Sequence, residues 1–462
     1  MSLSGTIPAR TVKRHIYAPA HRAIVGAGPG FMPETEAEIR LLIDARVTPS
    51  RHNPTIAASH GRILIRSIDY RSLLELVLRS TCATDIGMVV GAGQAQNEKE
   101  LAEVLSAVDW RLFLGGAQTS VRVRSESHAS RLYHTELIKE TMTEILRAQA
   151  GAEPGEAEEA NHVVTVRLRH DRVQVVISLC GSQLWRRGYR ASFSAVAPLR
   201  EDLAQASVQR SLRFAGAPAP SANAAAPPVD AVLVPFCGSG TLAFESLIAL
   251  ADIPPFLFRD GRASPESDGY AFERFAFGTP PSVGWLKRLL RERTQERLAR
   301  MRTLHVRMID SYAPACESAQ ANWRHFAGSL PLSSATDADR AETDAAPGLP
   351  FEVEILHEDA LVHDWAGYLG PEVRSLFIPL NPPYGRRIRA SETASLYQRI
   401  GRRLERLLAT PPGAHRLSVA GFVLCPDESS WHAFMRAAPS AQFATSHFMQ
   451  GGLDIRLCAF RA

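Results

Sequence analysis

The chain has 462 residues, of which 45% are hydrophobic and 22% charged, and it carries a net charge of +4 at pH 7. A chain of this length is too long to form one ordinary hydrophobic core, so we expect two or three domains. The mild basicity permits nucleic-acid binding without requiring it. No apolar run reaches the roughly 18 residues of a membrane span, and the cysteines form no CxxC pair, so neither a membrane protein, a disulfide scaffold nor a zinc site is predicted.

The N-terminal stretch has no acidic residue before Glu34 and carries Arg10, Lys13 and Arg14. Widely spaced cysteines are typical of reduced thiols, so a cytoplasmic location is the prediction. A transit peptide, and with it an organelle matrix, remains the alternative.

Strands and helices alternate through the first 180 residues. The glycine-rich stretches IVGAGPG and VGAGQAQNE lack the features of a dinucleotide site and are interpreted as turns. The whole region is therefore interpreted as an α+β unit. Its predicted elements, in chain order, are a strand at 21–25, a helix at 33–43, a strand at 60–67, a helix at 69–80, a strand from 119, a helix from about 130 and a hairpin at 162–181 that turns near His170.

The rest of the chain has a βαβα pattern, which predicts a parallel, doubly wound sheet closed by an antiparallel pair. A helix at 198–212 leads into an Ala/Pro-rich linker at 214–229, and 329–350 is interpreted as a disordered insertion. The predicted strands are 232–234, 304–309, 353–356, 373–380, 417–425 and a final hairpin at Gly451; the predicted helices are 241–251, 314–326, 393–409 and 429–437.

Ligand-type residues follow four successive strands, where an open α/β sheet binds its ligand. The first strand runs into Gly238-Ser239-Gly240-Thr241, which can cradle a nucleotide-like ligand or be a plain turn. Asp310 can accept ribose hydroxyls or cap a helix, and Asp359 can accept an adenine amine or cap a turn. Asn381 follows the fourth strand.

The stretch NPPY places an amide and an aromatic ring on a stiff turn. The Asn381 side-chain oxygen and the Pro382 carbonyl can accept both hydrogens of an exocyclic base amine, and Tyr384 can stack on a base that has left its helix. Such a site works by positioning and needs neither a metal nor a covalent nucleophile. The structural alternative is a Pro-Pro turn with a packed tyrosine.

These motifs, in this order, resemble the THUMP-domain class I S-adenosylmethionine-dependent RNA guanine-N2 methyltransferases, as in the 23S rRNA enzymes. PFCGSGT, NPPYGRRI and GGLDIRL carry the resemblance, and GSQLWRRGYR with APLREDLA (181–204) is similar to the connecting segment of the family. Residues 60–180 resemble a divergent THUMP domain preceded by a ferredoxin-like piece. The implied organisation is an RNA-binding region at 16–182, a connecting helix and linker at 183–229 and a methyltransferase domain at 230–462.

The resemblance implies a Rossmann-like α/β methyltransferase domain with a mixed, mostly parallel seven-stranded sheet, and S-adenosylmethionine as cofactor. It implies methylation of guanine N2 in large-subunit rRNA. We expect the protein to act as a monomer. The alternatives are a tRNA guanine, an adenine N6, and a weakly active relative that acts as an RNA-binding assembly factor. The resemblance implies that Asn381, Pro382 and Tyr384 hold the base, and that the cofactor is held by Pro235, Gly238, Gly240, Thr241, Asp310, Asp359 and Ala360. It implies RNA phosphate contacts for Arg186, Arg187, Arg190, Arg386 and Arg387. A solvated basic surface would explain these arginines equally well.

One position departs from the family pattern. The family has an acid immediately before the proline of its glycine motif, where this chain has Val234. If nothing replaces that charge-assisted contact to the amino-acid end of the cofactor, its loss costs about 1.5–3 kcal/mol, or roughly ten- to hundredfold in affinity. Glu245, about one helical turn into the next helix, is the candidate to replace it. The alternative is a buried strand valine in a subfamily that orients its cofactor differently.

Overall fold

The computed structural model describes most of the chain and divides it into two compact units. The first comprises residues 1–27, 35–186 and 266–288, and the second comprises 28–34, 187–265 and 289–462. Residues 266–288 therefore belong to the first unit, although they lie inside the predicted methyltransferase domain. The described residues are 7–115, 119–155, 160–181, 184–191, 199–217, 229–259, 269–331, 348–383, 390–410 and 415–462.

An eight-stranded sheet, in the order β2-β3-β1-β4-β8-β7-β5-β6, is the framework of the described part of the first unit. Most neighbouring strands are antiparallel, and β5 is parallel to both β6 and β7. The helices before residue 181 are α1 Ala9–Val12, α2 Met32–Asp44, α3 Tyr70–Arg79, α4 Glu98–Ser106 and α5 Thr135–Ala150. The strands are β1 His21–Ala27, β2 Thr55–Ser59, β3 Arg62–Ile68, β4 Ala83–Gln94, β5 Ser120–His128, β6 Glu153–Pro154, β7 His162–Arg169 and β8 Arg172–Ser178.

The glycines of VGAGQ are strand residues, so their interpretation as turn glycines is wrong. Gly91 and Gly93 lie within β4. A methyl group at Gly93 would come within 2.6 Å of Val104 in α4, and one at Gly91 would come within 2.8 Å of Val108. These glycines therefore let the α4 segment pack close to the sheet, which is a known use of glycine inside a strand.

His162 gives the first unit a pH-dependent stability. Its ring is buried and stacks on Phe275, with 5.8 Å between ring centroids. Burial, with a further contribution from Arg274, lowers the pKa of His162 from 6.5 to about 4. The folded state therefore excludes a proton that the unfolded chain binds, and stability present above pH 6.5 is lost as the pH falls toward 4.

We expect His162→Phe to remove part of this pH dependence. The shift corresponds to about 3 kcal/mol when fully developed, because each pKa unit is worth about 1.4 kcal/mol. Urea unfolding at pH 7 and pH 4.5 should show a smaller loss of stability for His162→Phe than for the wild type. The matched control is His128→Phe, because His128 is exposed. An unchanged pH dependence in His162→Phe would contradict this account.

The second unit contains the predicted mixed sheet, and its fold class is confirmed. In the described residues of this unit, seven strands lie in the order β11-β10-β9-β12-β13-β15-β14. The first five are parallel, and β15 is antiparallel to both β13 and β14. The strands are β9 Ala231–Pro235, β10 Leu304–Asp310, β11 Phe351–His357, β12 Ser375–Leu380, β13 Ser418–Cys425, β14 Gln442–Gln450 and β15 Leu453–Arg461.

Buried apolar residues of the parallel strands explain why they form the centre of this unit. Each residue of β9 is buried, and β12 is buried except at its first residue. Strands covered on both faces in this way are typical of doubly wound sheets. The remaining helices of the chain are α6 Glu201–Phe214, α7 Thr241–Ala251, α8 Phe256–Arg259, α9 Pro281–Arg300, α10 Ala313–Ser329, α11 Ala390–Ala409 and α12 Glu428–Ala437.

Among the described residues, no helix has the length and hydropathy to cross a bilayer. The same part of the chain contains no group of three or more His, Cys, Asp or Glu side chains that could hold a metal ion. Most of the predicted linker at 214–229 and of the predicted insertion at 329–350 lies outside the described residues.

Candidate functional site

The carboxyl ends of β9, β10, β11 and β12 meet at one edge of the second sheet. The strand order reverses between β9 and β12, because β10 and β11 lie on one side of β9 and β12 lies on the other. A crevice at such a reversal is the usual ligand site of a doubly wound sheet. The glycine turn follows β9 and Asn381 follows β12, so the two predicted motifs flank this point.

The turn from β9 to α7 has a left-handed backbone at three positions. Phe236, Gly238 and Gly240 have φ values of 63°, 55° and 89°. A methyl group at Gly240 would lie 2.5 Å from the Phe244 ring, whereas one at Gly238 would meet no atom within 4 Å. Gly240 is therefore required by packing, while Gly238 leaves open space beside the start of α7, where the unpaired N–H groups of a helix favour an anion.

Asp310, at the end of β10, holds this turn in place. Its Oδ2 atom accepts a hydrogen bond from the Gly238 backbone N–H at 2.8 Å, and its Oδ1 atom accepts one from the Tyr312 backbone N–H at 3.0 Å. Burial, and then the Asp310 carboxylate, raise the pKa of the Cys237 thiol well above its usual value. Cys237 is therefore a neutral thiol at physiological pH, not a nucleophile.

The third strand end contains Asp359 and Ala360. The Asp359 side chain is exposed and its Oδ1 atom accepts a hydrogen bond from the Leu361 N–H at 2.9 Å, which closes a turn. Ala360 is buried, and its carbonyl accepts a hydrogen bond from the Trp365 indole at 2.9 Å. The tryptophan thus fixes the backbone on which Asp359 is carried.

Asn381 has an unsatisfied acceptor. Its Oδ1 atom is inaccessible to solvent and has no hydrogen-bond partner, and the adjacent Pro382 is buried. Buried polar side-chain atoms are normally hydrogen-bonded, so an exception at a strand end calls for a ligand. Tyr384, Arg386 and Arg387 lie outside the described residues.

Two of the arginines predicted to contact RNA phosphates are internal, so that prediction is wrong for both. Arg187 is fully buried, with its Nε 3.4 Å from Glu245 Oε1. The Arg190 side chain is also buried; it forms an ion pair with Glu201 at 3.1 Å and donates to Thr241 Oγ1 at 3.0 Å. Arg186 is exposed and stays a predicted phosphate contact.

Glu245 does not replace the acid missing at Val234. The Tyr189 hydroxyl donates to its carboxylate at 2.8 Å, and Arg187 pairs with the same carboxylate. Glu245 and Arg187 are completely buried. Val234 is itself a buried residue of β9, where it pairs with Met308 of β10. The Glu245 prediction is therefore wrong, because its carboxylate is occupied inside the fold.

Asn322 supports the glycine turn from α10. Its amide donates to the Ser239 carbonyl at 3.1 Å, and its oxygen accepts from the Ala191 N–H at 2.8 Å. Asn322 is not among the site residues that the resemblance implies. The structure assigns it the role of tying the turn to the segment that precedes α6.

A curated protein of Ectopseudomonas mendocina named ribosomal RNA large subunit methyltransferase K/L is 34% identical over 192 residues, which are 40% of this chain and 25% of that protein. A protein of the same name from Syntrophotalea carbinolica is 27% identical over 392 residues, 82% of this chain and 46% of that protein. The chain is similar to the K/L methyltransferases. This confirms the resemblance predicted from the motifs.

The fold matches that of a solved structure along nearly the whole chain. SMU.472, a protein assigned as a methyltransferase and crystallised with SAH, aligns with a TM-score of 0.65 at 19% identity, over 96% of this chain and 98% of that chain. The two chains therefore share a fold. No family model matches the chain. The chain spans between a quarter and a half of the length of the curated relatives described above.

Proposed function

We propose that the protein is an S-adenosylmethionine-dependent RNA methyltransferase that modifies the N2 amine of a guanine in large-subunit rRNA. The observation that carries this proposal is the buried, unpaired Oδ1 atom of Asn381 at the end of β12. A base amine is a poor nucleophile that needs an acceptor for its hydrogens, and this strand end supplies one. Similarity to proteins named rRNA large subunit methyltransferase K/L supports rRNA as the substrate.

The residues present fit the cofactor. The space beside Gly238 is open, and the start of α7 favours the carboxylate of an amino acid. The methionine end would be held by Pro235, Gly238, Gly240 and Thr241, the ribose by Asp310, and the adenine by Asp359 and Ala360. The cofactor, when bound, supplies an electrophilic methyl group.

Asn381 would act on the substrate base by orientation. Its oxygen accepts one amine hydrogen, which aims the nitrogen lone pair and increases its electron density. An amide is not a base, so the surplus proton leaves the amine for water after the transfer, when the nitrogen is cationic. Pro382, buried beside Asn381, keeps this backbone rigid, and the Tyr384 ring would stack on the base.

The first unit would capture RNA by shape and phosphate contacts, as expected of the predicted THUMP region. In this proposal residues 16–182 bind RNA, 183–229 connect, and 230–462 carry out the methyl transfer. Arg186, Arg386 and Arg387 are the arginines assigned to phosphates. We further propose that the protein acts as a monomer in the cytoplasm.

Replacement of Gly238 should block the cofactor specifically. Gly238→Ala places a methyl group in the open space and strains the backbone at φ 55°. We expect the dissociation constant for S-adenosylhomocysteine, measured by calorimetry, to rise at least about tenfold, while stability falls by about 1–2 kcal/mol.

The matched control for Gly238→Ala is Gly151→Ala. Gly151 ends α5 with φ 60° and also has no atom near an added methyl group. Its replacement should cost similar stability without changing cofactor affinity. Equal affinities for the two variants would contradict the placement of the cofactor beside Gly238.

Binding and activity measurements test the function itself. The enzyme should bind S-adenosylmethionine in calorimetry and transfer methyl groups to unmodified large-subunit rRNA. Labelling of tRNA alone would favour the tRNA alternative. If the protein binds RNA but does not bind S-adenosylmethionine at millimolar concentrations of that cofactor, the result would favour the assembly-factor alternative. Val234 is the reason for considering that alternative, because it stands where the family has an acid.

A further inference from the structure

A second unsatisfied acceptor lies in the second unit, on Glu201. Glu201 begins α6, and its side chain is 3% exposed. One carboxylate oxygen, Oε1, forms the ion pair with Arg190, whereas the other, Oε2, is inaccessible to solvent and has no hydrogen-bond partner. A buried carboxylate oxygen without a donor is costly, and it calls for a missing partner.

Glu201 is connected to the proposed cofactor site through a single guanidinium group. Arg190 pairs with Glu201 Oε1 at 3.1 Å and donates to Thr241 Oγ1 at 3.0 Å. Thr241 is the first residue of α7, directly after the glycine turn. Glu201 is therefore linked by one arginine side chain to the segment that would hold the methionine end of the cofactor.

Neighbouring acids differ from Glu201 in being fully occupied. The Glu245 carboxylate has Arg187 and Tyr189, and Asp202 has a two-point contact with Arg200, at 3.1 and 2.7 Å. Glu201 thus stands out among these buried acids as the one with a vacant oxygen. Burial raises the pKa of Glu201 to about 7 against the opposing charge of Arg190, and the nearby Glu245 carboxylate adds to the rise.

We propose that Glu201 receives the α-ammonium group of the cofactor on Oε2 and so takes the role of the acid that is absent at Val234. Arg190 is then a positioning residue that fixes Glu201 against Thr241. This inference rests on the proposed function, and it explains how a chain with valine in the strand can orient the amino-acid end of S-adenosylmethionine.

The test compares two ligands on two proteins. S-adenosylhomocysteine and its analogue without the α-amino group are titrated by calorimetry into the full-length wild type and into Glu201→Gln, which keeps the shape and loses the charge. We expect the wild type to bind S-adenosylhomocysteine at least about tenfold more tightly than the analogue. In Glu201→Gln the two ligands should bind nearly equally, with the affinity for the analogue unchanged.

The other outcomes are equally informative. If Glu201→Gln keeps the preference of the wild type for the amine, or loses affinity for both ligands to the same extent, the assignment of Glu201 is wrong. If the wild type binds neither ligand, it is the proposed function that fails. Glu245→Gln serves as the control for a general disturbance of the buried charges and should keep the preference for the amine.

Discussion

Asn381→Ala should reduce methyl transfer by at least about 10²–10³-fold while leaving the affinity for S-adenosylhomocysteine nearly unchanged. The variant removes an acceptor that is buried and unpaired in the structure. Without that acceptor the base amine is neither aimed nor activated, and the loss of a single positioned polar group of this kind has an effect of this size. The comparison requires single-turnover rates with a saturating concentration of the cofactor.

Asn97→Ala provides a control for an ordinary loss of stability. Asn97 caps α4 in the first unit, and its side chain accepts a hydrogen bond from the Glu100 N–H. Its replacement costs about 1 kcal/mol without touching the site. If Asn381→Ala retained most of its activity, or if Asn97→Ala lost as much, the assignment of Asn381 would be wrong.

Arg187→Ala should destabilise the second unit by about 3–5 kcal/mol. It leaves Glu245 buried without its cationic partner, and breaking one half of a buried ion pair has a cost of this order. Chemical denaturation of the full-length protein, followed by fluorescence, measures the loss. Many molecules of the variant are expected to be unfolded at temperatures where the wild type is fully folded.

Arg186→Ala is the matched control, because it removes the same side chain one position earlier. Arg186 is exposed, and its guanidinium lies 5.4 Å from the centre of the Trp185 ring. We expect less than about 0.5 kcal/mol of destabilisation and a weaker affinity for RNA, with a shallower dependence on salt. Similar losses of stability in the two variants would contradict the inward placement of Arg187.

These neighbouring arginines illustrate what the sequence alone could establish. The strand ends, the glycine turn and the order of the motifs were predictable, because hydrophobic periodicity and turn residues are local signals. Arg186 and Arg187 have the same local chemistry, and tertiary contacts such as that of Arg187 with Glu245, 58 residues away, distinguish them. The burial of Arg187 could therefore be recognised only from the tertiary structure.

Glu201 and Asn322 show the same limit. The sequence places Glu201 in the first turn of a helix, where an acid is favoured by the helix dipole alone. Its unpaired oxygen becomes visible only when Arg190 is seen between it and Thr241. Asn322 contacts residues 83 and 131 positions away, so no pattern within its own helix could reveal its role.

The glycines of β4 show why a local signal can also mislead. Gly91 and Gly93 occur in a stretch whose composition is typical of a turn, yet they pair with β8. Packing against the α4 segment decided the outcome, since that close approach leaves no room for side chains. Tertiary packing routinely overrides local propensity in strands.

The central claim is most directly tested by mapping modified nucleosides in RNA from cells with and without this protein. Mass spectrometry of large-subunit rRNA should show one N2-methylguanosine that disappears when the gene is deleted and returns with the wild-type protein, but not with Asn381→Ala. Unchanged N2-methylguanosine in rRNA, with loss of a methyl group from another nucleoside or from tRNA, would contradict the assignment to guanine N2 in rRNA.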